Sequence, residues 1–152
     1  MTDWELFFAR RALATLKSKL GQERLLELLA SDIQSTGDKL ASWTAASNGA
    51  WHGAQTELHV TGISAAEFLA YFRSPSTTEA QKRAAHPEHF VMATIEGGYQ
   101  VVENIGPHIS DSRVMWTDEA HAVVAPDPNY QHRVVAEIRR PTAPSSHTRC
   151  TN

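Results

Sequence analysis

A chain of 152 residues, 41% hydrophobic and 20% charged, buries one core, is too short for two ordinary domains, and is neither collagen-like nor disordered throughout. The formal charge is −3, and only the end from Arg133 turns basic, with four Arg against one Glu, so nucleic acid is not expected as a partner. No apolar run reaches the length of a membrane span and Met1-Thr2-Asp3-Trp4-Glu5 lacks a secretory n-region, which places the protein in the cytoplasm by default, while the single Cys150 excludes an internal disulfide framework and any cysteine-based zinc site.

Thr2 with Glu5 three residues on has the form of a capping box, and Trp4, Phe8, Ala12, Leu16 and Leu20 recur every fourth residue behind it, predicting a helix over about 3–19. Gly21 suits the C′ position, and Leu25, Leu26, Leu29 and Ile33 restart the helical period through 22–35. Gly37 interrupts, and 38–46 forms one more short helix with Leu40 and Trp43 inward. A Gly, Ser and Asn-rich loop follows. Residues 55–61 alternate, with Leu58 and Val60 on one side, and read as a strand. Ser64 and Glu67 open another helix that carries Phe68, Leu69 and Phe72 as far as Ser74. Residues 77–85 add a helical turn or two before His86-Pro87.

From Phe90 the period becomes two. Residues 90–96 and 99–105 flank Gly97-Gly98, a strong hairpin signal. Three further strands follow at 112–117, 121–125 and 132–139. The polar, Pro- and Ser-containing segment 141–152 reads as a disordered tail behind a single domain, 1–140. The fold class is therefore α+β, with N-terminal helices on one face of a curved antiparallel sheet of about five to six strands. In element order alone this is similar to the cone-shaped domains of the nuclear-transport-factor-2 and ketosteroid-isomerase type, with one strand here where the cone has a leading hairpin. That likeness implies a cavity between sheet and helices.

A two-residue loop at Gly97-Gly98 pairs Glu96 with Tyr99, Thr94 with Val101, Met92 with Glu103 and Phe90 with Ile105 on one sheet face. Glu103 then sits among apolar neighbours. If that face is the covered one, burial raises its pKa and suits it to acid–base work; the opposite face, with Val91, Ala93, Ile95 and Val102, is also apolar enough to be core. On the last strand His132 shares a face with Val134, Ala136 and Ile138 and is expected to point inward.

These residues define the expected site. Glu103 is its acid or base, His132 its partner and Tyr99 a hydrogen-bond donor, while Trp116, Met92, Phe90 and Trp43 wall a pocket for an apolar, oxygenated small molecule in a proton-transfer reaction of the isomerase, cyclase or dehydratase kind. No cofactor is implied, since phosphate-loop and dinucleotide motifs are missing. His86, His89 and His108 meet near the hairpin mouth and form a weaker candidate for a metal site. From a different class, the amphipathic N-terminal helices or the outer sheet face serve a noncatalytic interaction or dimerisation domain, which surplus exposed apolar surface would favour.

Overall fold

A computed structural model describes residues 3–74 and 76–141. Helix α1 spans Asp3–Ala46 and joins two helices across a kink at Gly21, whose φ of 71° and ψ of 172° depart from helical geometry. The stop expected at Gly21 is thus a change of direction inside one long element, and Gly37 does not interrupt it. Helix α2, Ala65–Arg73, starts on a full capping box between Ser64 and Glu67. Helix α3, Glu79–Ala84, starts on a second one between Thr78 and Gln81. In each box both side chains satisfy backbone N–H groups that have no partner inside the helix.

The strands are β1, His89–Ile95, β2, Gly98–Ile105, β3, His108–Thr117, and β4, Val135–Arg139. They form one antiparallel sheet in the order β1-β2-β3-β4. Long helix α1 packs on this curved sheet, contacting β3 and β1, so the α+β class stands while the sheet has four strands. Two expected strands are missing. Residues 55–61 are irregular, with Leu58 and Val60 exposed, and 121–125 begin in a 3-10 turn, Glu119–His121, capped by Asp118. Alternation alone did not make strands there because no neighbouring ladder pairs with them. Among the described residues the sheet has four strands. The segment expected as a tail lies, apart from Pro141, outside the described residues, as do Thr2 and Cys150.

The first hairpin turns one step earlier than expected. Ile95 pairs with Gly98, Thr94 with Tyr99 and Met92 with Val101, so the two loop residues are Glu96 and Gly97, and Gly97 takes the positive φ of 74°. Gly98 is instead the first residue of β2, opposite Met115. A Cβ on Gly98 would lie 1.9 Å from the Val114 carbonyl oxygen, so β3 approaches where only glycine leaves room. The pairing differs from expectation by two residues, which preserves the faces. A bulge between His89 and Val91 then leaves Phe90 as the extra residue and brings His89 opposite Glu103.

Both faces of the hairpin are buried. Met92, Tyr99 and Val101 form the core cluster with Phe72, Val114 and Trp116 packed on it, and Val91 and Val102 are fully buried on the other side. Leu25 and Thr36 are the buried residues of α1. Arg140 donates to the Gly37 carbonyl at 2.7 Å, and Trp43 meets His108 edge-on at 5.7 Å, tying the second half of α1 to the sheet.

Candidate functional site

Tyr99, Trp116 and Met92 come together as expected, but as a filled core. Phe72 from α2 meets Tyr99 at 6.0 Å and Trp116 at 6.1 Å, both edge-on, and Tyr99 meets Trp116 at 5.8 Å. The rings pack on one another in the core cluster. Tyr99 Oη accepts from Lys82 Nζ at 2.8 Å and donates to the Phe72 carbonyl at 3.3 Å. Lys82 is only 6% exposed, and its ammonium also lies over the Tyr99 ring. No periodicity in the short α3 sequence marks this lysine as the buried residue.

The other expected site residues disperse. Glu103 is 34% exposed, with Oε2 3.3 Å from Nε2 of His89, and no ion pair or hydrogen bond joins it to His132 among the described residues. His132 is exposed and precedes β4 instead of lying within it. It does not point inward, because the chain takes up the ladder only from Val135, opposite Thr117. The pairing of Glu103 with His132 is therefore corrected to Glu103 with His89. The second ring nitrogen of His89 is buried without a hydrogen-bond partner, which leaves it no access to a bound substrate.

Phe90 sits at the bulge under Lys17 Nζ, 5.6 Å from its ring centroid, and Trp43 is exposed beside His108, so neither joins the Tyr99 cluster. The His86 and His89 rings approach to 5.3 Å, but His108 stands with Trp43. Among the described residues no group of three His, Cys, Asp or Glu is arranged to hold a metal. No helix among them is long and apolar enough to cross a membrane.

A roomy opening lies elsewhere, between the first half of α1 and α3. This groove, about 800 Å3, is lined by Arg10, Lys17, Arg83 and His86 with Leu13 and Leu25. Lys17 Nζ donates to the carbonyls of Pro87 at 2.7 Å and His89 at 2.6 Å. Burial, and secondarily the positive charge of Arg83, holds its pKa below the ordinary lysine value. Gln22 donates to Glu79 at 3.0 Å while its Oε1 is buried without a partner. Arg10 and Lys17 stand seven residues apart, two helical turns, and that spacing was the available sequence signal.

A second surface is the apolar stripe at the start of α1. Trp4 is 70% exposed, Phe7 52% and Phe8 50%, and the three rings touch one another with centroids 5.6–6.2 Å apart. Arg11 stacks over Phe7 and Phe8. Helical spacing puts Trp4, Phe7, Phe8 and Arg11 on one face of α1 and Arg10, Leu13 and Lys17 on another. Comparison with protein families, curated proteins and solved structures returns no match, so any function assigned to this chain rests on its own residues.

Proposed function

We propose that this chain is a noncatalytic assembly domain that forms a homodimer through the first half of α1, two copies packing antiparallel about Phe7. The observation that carries this is the contiguous Trp4, Phe7 and Phe8 surface on a helix half that buries almost nothing. Between residues 3 and 24 no side chain of α1 is fully buried. Most helical stability in proteins comes from packing an apolar face, which this half of α1 lacks within one chain.

The total surface leaves area enough for a second copy, shared with the exposed irregular segments 48–63 and 118–132. The accessible surface is 12204 Å2, against about 7,700 Å2 for a compact monomer of this mass. The residues outside the described set account for at most about 2,200 Å2 of the difference even at the full surface of an unfolded chain. More than about 2,000 Å2 of surplus surface remains, and a stable pair requires roughly 800 Å2 per partner.

The charges agree with an antiparallel arrangement. Asp3 and Glu5 are in the first turn and Arg11 lies two turns on. Two copies related by a twofold axis at Phe7 set Asp3 of each opposite Arg11 of the other, whereas parallel packing sets like charges together.

Size-exclusion chromatography with light scattering tests the proposal. The wild-type chain at tens of micromolar is expected at twice the monomer mass, and the Trp4→Glu, Phe8→Glu double variant at the monomer mass. A wild-type chain that stays monomeric removes it.

A further inference from the structure

The groove between α1 and α3 has no part in the dimer contact, and its chemistry points to a ligand. Three basic side chains, Arg10, Lys17 and Arg83, line it together with His86, and no carboxylate is among the lining residues. None of the three forms a salt bridge among the described residues, where the Lys/Arg ion pairs are Arg24 with Glu27 and Arg139 with Glu137. Glu79, the acid on α3, is occupied by Gln22 and by the backbone N–H of Thr94. In a protein whose net charge is −3, this is a concentration of positive charge, with Glu79 held at its edge by Gln22.

The arrangement is costly when nothing is bound. Lys17 is held half-buried by two carbonyls, with Arg83 near enough to disfavour its charge. Like charges kept together in a partly desolvated cleft are relieved by an anion. Arginine supplies planar, forked donors matched to phosphate oxygens, and lysine a point charge beside them. Beside the cations Leu13 and Leu25 add apolar lining. The volume, about 800 Å3, is within the range of small-molecule sites.

We propose that the α1–α3 groove binds a small organic phosphate, its dianionic head held by Arg10, Lys17 and Arg83 and its apolar body lying on Leu13 and Leu25. Two phosphate charges match three cations better than the single charge of a carboxylate, and the apolar lining selects an ester over free phosphate.

Isothermal titration of the full chain with phenyl phosphate, inorganic phosphate and benzoate tests this directly. Phenyl phosphate is expected to bind saturably, about tenfold or more tighter than either of the others, and Arg10→Gln and Arg83→Gln are each expected to weaken it about tenfold or more. Neither arginine donates a hydrogen bond that holds the fold among the described residues, and an unchanged circular dichroism melt for both variants reports an intact chain. Absence of saturable phenyl phosphate binding, benzoate binding equally well, or affinity unchanged in both variants would each overturn the proposal.

Discussion

Replacing Gly98 by alanine separates the observed hairpin register from the one that the Gly97-Gly98 pair suggests. The added Cβ would stand 1.9 Å from the Val114 carbonyl oxygen, 2.9 Å from its carbon and 3.1 Å from the Met115 Cα. Relief requires β2 and β3 to part by more than about 1 Å at their closest point, which breaks about two ladder hydrogen bonds at roughly 1 kcal/mol each and loosens Tyr99 in the core cluster. The loss is expected to be about 3–5 kcal/mol, a large share of the usual 5–15 kcal/mol of a small domain. Gly97→Ala meets only the flexible Met115 Cε, at 3.3 Å, and carries the cost of a positive φ, about 1–2 kcal/mol. Gly53→Ala has nothing within 4 Å of its Cβ and stays within about 0.5 kcal/mol of wild type. Urea denaturation of the three variants is expected to rank them Gly98, Gly97, Gly53. Equal losses at Gly97 and Gly98 would mean that both lie in the turn and would refute the register.

Three further outcomes follow from the same geometry. Tyr99→Phe leaves the buried Lys82 ammonium without its acceptor and is expected to cost about 1–3 kcal/mol, largely recovered by adding Lys82→Met; chemical denaturation in a double-mutant cycle measures the coupling. Burial raises the pKa of Asp111 against the lowering effects of its Gln100 hydrogen bonds and of Arg113. The folded state therefore holds this proton more tightly than the unfolded chain, and stability from this group is lost as pH rises from the ordinary carboxylate range through the raised value. Asp111→Asn is expected to be more stable than wild type at neutral pH, with the gain vanishing below the ordinary range in melts taken across pH. Phe8→Ala removes roughly 100 Å2 of exposed ring from each copy, and is expected to raise the dimer Kd at least about tenfold while leaving monomer stability within about 0.5 kcal/mol, read by sedimentation velocity against a urea melt.

Local chemistry was the legible part of this fold. Both Ser64-Glu67 and the helix break at Gly21 follow from side-chain hydrogen bonding and backbone freedom within four or five residues, and each appears where expected. The sheet faces were legible too, because a shift of two residues leaves side-chain direction unchanged. Pairing was not. Leu58 and Val60 alternate like strand residues but find no neighbour, and which of Gly97 and Gly98 turns the chain depends on how closely β3 passes, which no local pattern records.

The site was less legible for a related reason. Glu103 met His89, not His132, because a bulge at Phe90 moved the end of β1 by one residue, and His132 fell short of the strand that was to aim it inward. Trp43 and Trp116 were grouped as aromatic, yet one lies on an exposed helix end and the other in the core. The cations of the groove come from two helices, with Arg83 lying 66 residues beyond Lys17 in sequence, a juxtaposition that only the packed structure makes.

Spin labels on α1 test the assembly most directly. With Cys150→Ser as background, a label at Thr15→Cys is expected to lie about 24 Å along the helix axis from its copy, and one at Lys19→Cys about 36 Å, since antiparallel pairing about Phe7 adds two rises of 1.5 Å per residue. Pulsed dipolar spectroscopy should therefore return distances that lengthen by about 12 Å between the two sites. Equal distances at both positions, or no dipolar coupling at either, would contradict the antiparallel dimer.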